Sequence, residues 1–292
     1  MLRLAVRVRR EQAEIVLAEL LDLAPGGVEE VAIDSGVVEY AVYGAEGELP
    51  ALPDLTAACG SALVEVRTSE VADDWDQRWR SFHRPLVLGD RLAVRPPWES
   101  SVGAAVEIVI DPAQAFGTGS HATTRLCLEF MLELASPRTA TPGTASPRGP
   151  FLDLGTGSGV LAIAAARLGW DPVVALDYDP ASVEAAVDNA RVNGVAIDVR
   201  SHDLRSDPAV CAPVVAANLL RPLLLTWALR LAALSPSSLP ELVIASGLLV
   251  GEADEVAGAF ASLGFVEAER RESGEWAASL LSRGGRLEKA NA

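Results

Sequence analysis

The sequence has few cysteines and too few basic residues to balance its acidic ones. Its 292 residues include 24 Lys and Arg against 40 Asp and Glu, a formal net charge of -16. Because binding to nucleic-acid phosphates or anionic membranes needs an excess of positive charge, the composition argues against both kinds of partner. The three cysteines, Cys59, Cys127 and Cys211, follow no metal-ligand or redox spacing and form no even disulfide set. We therefore expect reduced thiols, no bound metal and a cytoplasmic protein.

Long uninterrupted apolar segments are also missing. Residues 1–10 alternate apolar and charged side chains, which is typical of a strand and not of a signal peptide. The most apolar later region, residues 213–234, is interrupted by Asn218, Arg221 and Arg230, so we do not expect it to span a membrane. Half of the residues are nonetheless hydrophobic, which indicates a globular chain long enough for two domains.

Residues 1–70 are predicted to form a small ferredoxin-like α+β domain, because their patterns follow the order strand, helix, strand, strand, helix, strand. The pattern includes a helix over 11–23 and a hairpin signal at Asp34-Ser35-Gly36. Residues 1–85 contain eight Arg and sixteen Asp or Glu. Their surface is either simply solvated or a docking surface that recognises a basic protein substrate, and the sequence leaves both interpretations open.

The rest of the chain predicts an α/β fold. Residues 71–85 are expected to form an interdomain linker helix, because Trp75, Trp79 and Phe82 recur at helical spacing. Within residues 86–292, strands and helices alternate from Phe151 onward, which predicts a doubly wound, Rossmann-like sheet of seven strands. Its last two strands are expected to form a closing antiparallel pair. The Pro/Thr/Ser/Gly-rich segment 136–150 is predicted to be a surface loop.

The main site motif is Asp153-Leu154-Gly155-Thr156-Gly157-Ser158-Gly159, between an apolar strand and a helical pattern. A strand, a tight turn and a helix N-terminus form a common docking site for nucleotide-like ligands. Gly155 and Gly157 allow the backbone to approach such a ligand closely. The dinucleotide fingerprint requires its third glycine where this chain has Val160. The spacing therefore favours S-adenosylmethionine over a nicotinamide dinucleotide.

Acidic residues at the ends of the next two strands are candidate ligands for the same cofactor. Asp177 follows Gly155 by 22 positions, near the separation at which a carboxylate reaches ribose hydroxyls. Asp179, by contrast, suits a helix cap. Asp203 is a candidate acceptor for the adenine amino group, although His202-Asp203-Leu204 is a weak motif.

Two further motifs, residues 115–124 (AFGTGSHATT) and Ala217-Asn218-Leu219-Leu220, complete a resemblance to the PrmA family, the methyltransferases of large ribosomal subunit protein eleven. The resemblance covers nearly the whole chain. It implies a class I methyltransferase that uses S-adenosylmethionine and releases S-adenosylhomocysteine. It places cofactor contacts at Phe116, Thr124, Gly155, Asp177 and Asn218.

The chain departs from the family pattern at three places. Ala122 stands where a proline is common, which loosens the loop without removing a polar contact. Leu219 replaces the isoleucine that usually follows the asparagine, a mild apolar change. The segment 136–150 is longer than the usual family connection.

The resemblance implies direct displacement of the sulfonium methyl by a lysine side-chain or N-terminal amine of ribosomal protein eleven, without a covalent enzyme intermediate. The amine must first be deprotonated, because an ammonium has no lone pair. Our hypothesis is that Asn218 is the catalytic residue, accepting a hydrogen bond from the amine and orienting its lone pair. For His121 we favour a structural role over that of a base, because no orienting carboxylate is evident. We expect a monomer.

The sequence leaves other functions open. The methyl acceptor can be another protein, such as the β subunit of an electron-transfer flavoprotein. A nicotinamide-dependent oxidoreductase is disfavoured by Val160. A nucleic-acid adenine methyltransferase is disfavoured by the net charge and by the leucines after Asn218. A non-catalytic scaffold that binds protein requires a decayed cofactor site, whereas the candidate cofactor residues are all present.

Overall fold

The computed structural model describes most of the chain. The described residues are 2–13, 16–17, 20, 23–24, 28–32, 36–44, 49–50, 52–70, 84–112, 121–135 and 148–283. The chain divides into two compact units, residues 1–82 and 83–292. Most of the predicted linker helix, most of the predicted loop 136–150, and Phe116 lie outside the described residues.

The first unit contains a four-stranded antiparallel sheet in the order β2-β3-β1-β4. Its elements are β1 (Leu2–Arg9), β2 (Glu29–Ala32), β3 (Val37–Gly44), α1 (Leu52–Cys59) and β4 (Leu63–Glu70). The described residues of the predicted first helix, at positions 13, 16, 17, 20 and 23, are helical. This strand order is that of the split βαβ arrangement, so the predicted ferredoxin-like fold is confirmed.

The two faces of this sheet differ in polarity, as the alternation in β1 predicts. Val6 and Val8 are fully buried in the core of the unit. Arg3 and Arg7, which alternate with the core-facing positions of β1, both form ion pairs with the buried Glu39 of β3, at 2.5 and 2.7 Å.

The second unit contains a seven-stranded sheet in the order β10-β9-β8-β11-β12-β14-β13 and a three-stranded sheet in the order β5-β6-β7. Its strands are β5 (Leu86–Leu88), β6 (Leu92–Arg95), β7 (Val106–Val109), β8 (Phe151–Leu154), β9 (Val173–Asp177), β10 (Asp198–Ser201), β11 (Val214–Asn218), β12 (Leu242–Leu249), β13 (Phe265–Ser273) and β14 (Trp276–Arg283). Its helices are α2 (Ala122–Leu134), α3 (Val160–Arg167), α4 (Pro180–Val192), α5 (Arg221–Leu231) and α6 (Ala253–Ala261).

The large sheet has the predicted doubly wound, Rossmann-like architecture. Five strands are parallel, and β14 and β13 form the predicted antiparallel closing pair. Apolar residues from both faces of the sheet are buried: Phe151 packs in a core with α2 and α3, whereas Leu152 packs in a second core with α5 and α6. The strand order reverses between β8 and β11, and ligands in such sheets bind beyond the carboxyl ends of the strands at this switch point.

The apolar patterns of the sequence predict single strands over 86–94, 195–199 and 242–245, and all three predictions need correction. The segment predicted as one strand over 86–94 is two strands, because Gly89, with a φ of +60°, begins a turn between them. The strand expected at 195–199 is β10, which begins only at Asp198, since the chain first leaves the turn that ends α4 at Asn193 and Gly194. Strand β12 does not stop at Ala245 but continues through an irregularity at Gly247.

No helix in the described ranges combines the length and apolarity that a membrane span requires.

Two asparagines attach α4 to its neighbours. The Asn193 side chain accepts a hydrogen bond from the Val109 N–H at 2.8 Å and donates one to the Val109 carbonyl at 2.7 Å. The Asn189 side-chain amide donates to the Ser158 carbonyl in the glycine turn at 2.9 Å. These bonds connect α4 with β7 and with the turn that opens the site.

We expect Asn193→Ala to lower the free energy of unfolding by about 1–3 kcal/mol, because it leaves the N–H and carbonyl of Val109 without their partner. Urea unfolding measures the change. Val192→Ala is the control, since Val192 is the neighbouring residue and is 62% exposed. Equal losses in the two variants would contradict the role of the Asn193 hydrogen bonds.

Candidate active site

A cavity of about 560 Å³ opens at the carboxyl ends of β8, β9 and β11. Its volume lies within the range of roughly 300–1,000 Å³ typical of small-molecule sites. The cavity lies at the switch point of the strand order, as the fold predicts. Five of the predicted site residues line it, namely Gly155, Gly157, Asp177, Asp203 and Asn218.

The glycine turn after β8 needs its glycines for different reasons. Gly155, Gly157 and Gly159 have φ values of +76°, +52° and +83°, in the left-handed region that favours glycine. A Cβ on Gly159 would lie 3.1 Å from Ala186 of α4, so this glycine also serves helix packing. A Cβ on Gly155 would lie 2.3 Å from Leu219 Cδ2. The sequence alone indicates only a close approach to the cofactor at Gly155.

Asp177 ends β9 with its carboxylate fixed by backbone amides. Its Oδ2 accepts a hydrogen bond from the Gly157 N–H at 2.9 Å, and its Oδ1 accepts one from the Asp179 N–H at 3.1 Å. Because each carboxylate oxygen can accept more than one hydrogen bond, both keep acceptor capacity toward the cavity. Asp179 caps α4 by accepting from the Ala181 N–H, as predicted for it.

Asp203 lies in the loop after β10, where Arg205 binds its carboxylate. The Arg205 Nε donates to Oδ1 at 2.9 Å, and a second guanidinium nitrogen lies 3.3 Å from Oδ2. The hydrogen bonds from Arg205 lower the pKa of Asp203, so the carboxylate is ionised. The same guanidinium stacks on the ring of Tyr178, 5.0 Å from its centroid. All three side chains line the cavity.

Asn218 is the last residue of β11, and its side chain is hydrogen-bonded to Thr124. The Asn218 Nδ2 donates to Thr124 Oγ1 at 3.4 Å. Thr124 is fully buried and does not itself line the cavity, whereas its neighbour Thr123 does. Within the described part of the chain, no donor reaches Asn218 Oδ1. The arrangement leaves an amide oxygen as an acceptor at the cavity wall.

His121 has the structural role that the sequence favours. It caps α2, where its Nδ1 accepts from the Thr123 N–H at 3.4 Å. Burial lowers the pKa of His121, which favours the neutral ring. Its ring packs edge-on against Trp276, with centroids 4.7 Å apart, and both rings line the cavity.

Asp153, the first residue of the glycine motif, is fully buried behind the turn. Its Oδ2 accepts hydrogen bonds from Thr156 Oγ1 at 2.6 Å and from the Ala162 N–H of α3 at 3.1 Å. No described residue donates to its Oδ1. Burial raises the pKa of Asp153 to about 7, and the charge on Asp177 acts in the same direction. Asp153 therefore joins strand, turn and helix with a carboxyl that titrates near neutrality.

Comparison with known proteins identifies one family over nearly the whole chain. The family model for ribosomal protein L11 methyltransferase (PrmA) matches residues 5–283. The chain belongs to the PrmA family. Membership confirms the resemblance seen in the sequence, and with it the expected enzyme class, a protein methyltransferase that depends on S-adenosylmethionine.

Two relatives and one solved structure show the extent of the similarity. Ribosomal protein L11 methyltransferase of Pelotomaculum thermopropionicum is 33% identical over 312 residues, covering 95% of this chain and 97% of the relative. Its counterpart from Heliobacterium modesticaldum is 38% identical over 218 residues, covering 73% of this chain and 65% of the relative. The crystal structure of ribosomal protein L11 methylase from Lactobacillus delbrueckii subsp. bulgaricus is 31% identical and covers 70% of this chain and 100% of its own, with a TM-score of 0.58.

Several cavity residues of this PrmA family member were not predicted from the sequence. Trp276 opens the last strand, far along the chain from every glycine motif, and no local pattern links it to the site. Tyr178 directly follows Asp177, and Arg205 follows Asp203 by two positions, so proximity to a candidate ligand was an available signal for both. Within the described residues, no cluster of three or more His, Cys, Asp or Glu side chains is suited to a metal ion.

We expect Asp153→Asn to change how stability depends on pH. Because the folded pKa of Asp153 is about 7, above the value of about 3.9 for an unfolded Asp, wild-type stability falls as the pH rises between these values. The fall is about 1.4 kcal/mol for each unit of pKa difference. The asparagine cannot ionise and so does not carry this cost. The free energy of unfolding of the variant, relative to wild type, should therefore increase as the pH rises from 4 to 8.

Urea unfolding at pH 4, 6 and 8 measures this gain. Asp90→Asn, in the exposed turn between β5 and β6, is the control for the same substitution at a surface position. If the difference between Asp153→Asn and wild type were constant with pH, Asp153 would not titrate as the buried geometry implies.

Proposed function

We propose that this protein transfers methyl groups from S-adenosylmethionine to lysine side-chain and N-terminal amines of ribosomal protein L11. The observation that carries the proposal is the position of Asn218, whose Oδ1 is an open acceptor in the cavity that Gly155 and Asp177 also line. The names of the relatives and the family support L11 as the substrate.

The residues present fit the cofactor. When bound, S-adenosylmethionine supplies an electrophilic methyl group on its sulfonium. Asp177, oriented by two backbone amides, would bind the ribose hydroxyls. Asp203 would accept a hydrogen bond from the adenine amino group, and the adjacent Leu204 N–H, which has no acceptor among the described residues, would donate to an adenine ring nitrogen. Gly155 and Gly157 give the cofactor access to the backbone.

Asn218 orients the amine, and Thr124 orients Asn218. Because Thr124 Oγ1 binds the Nδ2 group, the Oδ1 of Asn218 is the atom left to accept a hydrogen bond from the incoming amine. Once the amine is deprotonated, this bond orients it so that its lone pair is directed at the methyl group, and most of the catalytic effect comes from that orientation. We assign Thr124 this supporting task, because it is fully buried and does not itself line the cavity. The cofactor contact that the family resemblance implies for Thr124 stays a prediction. For Phe116, outside the described residues, the cofactor contact remains a prediction.

The charge of the chain supports a basic protein as substrate. Residues 1–85 carry twice as many acidic as basic side chains, and the whole chain has a formal net charge of -16. An acidic surface attracts a lysine-rich protein and repels nucleic acid. We propose that residues 1–70 recognise the substrate, that residues 86–292 carry the chemistry, and that the enzyme acts as a cytoplasmic monomer.

Incubation with labelled S-adenosylmethionine and purified L11, followed by mass mapping of the product, tests the substrate. We expect label on lysine and N-terminal amines of L11. The β subunit of an electron-transfer flavoprotein serves as the competing substrate. Label on that protein and not on L11 would refute L11 as the substrate but would still support methyl transfer to a protein amine. Label on neither, without binding of S-adenosylhomocysteine, would refute the enzyme.

We expect Asn218→Ala to lower kcat for L11 methylation by about 10- to 100-fold, because the amine loses its orienting acceptor. Calorimetry with S-adenosylhomocysteine checks that cofactor affinity is retained. Asn218→Asp is the matched variant: it keeps an acceptor oxygen and is expected to retain more activity than the alanine variant. Full methyl transfer by Asn218→Ala, with normal cofactor binding, would exclude this role.

A further inference from the structure

The backbone of Leu219, the residue after Asn218, lies against Gly247 of β12. A Cβ on Gly247 would come within 2.5 Å of the Leu219 carbonyl oxygen, 2.8 Å of its carbonyl carbon and 2.9 Å of its nitrogen. These are backbone atoms, so no side-chain rotation relieves such a contact. Gly247 also has a φ of +83°, in the left-handed region. Only glycine at this position allows the Leu219 backbone to lie where it does.

The side chain of Leu219 lies against Gly155. A Cβ on Gly155 would come within 2.3 Å of Leu219 Cδ2. The two glycines belong to different parts of the chain, one to the turn after β8 and one to β12, and both line the cavity together with Leu219. Leu219 therefore occupies space that is free because Gly155 and Gly247 have no side chains, at the carboxyl edge of the sheet.

Hydrogen bonds hold the same segment in register. The Leu219 N–H donates to the Ser246 carbonyl at 2.9 Å, and Asn218 is paired with Ser246 in the ladder between β11 and β12. The buried Ser246 hydroxyl lies 3.3 Å from the Thr123 carbonyl and 3.3 Å from the Ala277 carbonyl. A displacement of Leu219 thus acts directly on the peptide that carries the Asn218 side chain.

We propose that Leu219, fitted between Gly155 and Gly247, is a positioning residue for methyl transfer that fixes where Asn218 meets the acceptor amine. The inference rests on the proposed role of Asn218 and deepens it. Leu219 lines the cavity itself, but it acts on the amine through its neighbour Asn218. We therefore expect its displacement to change the orientation of the amine more than the affinity for the cofactor. Near-attack geometry is sensitive to shifts of about 1 Å, which can cost about 100-fold in rate.

The test compares Gly247→Ala with Gly274→Ala in the full-length protein. Gly274, in the turn between β13 and β14, has a φ of +61°, and a Cβ at this position would have nothing within 4 Å, so it shares the backbone strain without the contact to Leu219. We expect Gly247→Ala to lower kcat for L11 methylation by about 10- to 100-fold. The affinity for S-adenosylhomocysteine should stay within about threefold of wild type, and Gly274→Ala should keep wild-type kcat. Equal kcat in the two variants would overturn the proposal.

A second pair of variants keeps the proposal testable if Gly247→Ala does not fold. Gly155→Ala is measured alone and in the Leu219→Ala background, where the contact with Cδ2 no longer exists. The loss of kcat caused by Gly155→Ala should be at least about fivefold smaller in that background, as expected for residues in contact. An equal loss in both backgrounds would show that contact with the Leu219 side chain is not what makes Gly155→Ala harmful, and it would overturn the proposal.

Wild-type protein in the same assays separates this inference from the proposed function. If wild type does not methylate L11, the substrate assignment fails; the variants are then compared on whichever protein acceptor wild type labels. If wild type is active and Gly247→Ala is equally active, the positioning role of Leu219 fails and the substrate assignment stands.

Discussion

Close packing where β8, β11 and β12 end is the constraint on which the geometry of the site depends. Leu219 fills the space that Gly155 and Gly247 leave free: its side chain lies against Gly155 and its backbone lies against Gly247. Protein interiors are packed too densely for such an approach unless one partner lacks a side chain. The glycines of this family member therefore shape the cavity wall as well as its access to a cofactor.

The polar groups of the site are arranged around this packed edge in layers. Backbone amides orient Asp177, a threonine hydroxyl binds Asn218, and a guanidinium binds Asp203. Each of these three side chains is thus held by another group of the protein, which reduces the ordering that a ligand would have to impose. Asp153 lowers the stability of the fold, because it is buried and one of its oxygens accepts no hydrogen bond from a described residue.

The fold and the candidate cofactor residues were largely predictable from the sequence. Strand alternation and helix patterns indicated the four-stranded and the seven-stranded sheets. Gly155, Asp177 and Asn218 each lie at the end of an apolar strand, which places them at one edge. Gly247 and Trp276 were not predictable, because their roles come from contacts across the sheet with residues far away in the chain. The predicted start of β10 was wrong, since apolar residues at 195–197 continue the pattern beyond the helix without pairing. The hydrogen bond between Asn218 and Thr124 could be seen only in the structure, because 94 positions separate the two residues in the sequence.

A crystal structure with S-adenosylhomocysteine bound will show whether one packed edge of the sheet holds both cofactor and acceptor amine, as we claim. We expect ribose hydroxyls on Asp177, the adenine beside Asp203, and the homocysteine sulfur facing Asn218, with Leu219 still seated between Gly155 and Gly247. Binding of the cofactor elsewhere, or with its sulfur directed away from Asn218, would contradict this claim.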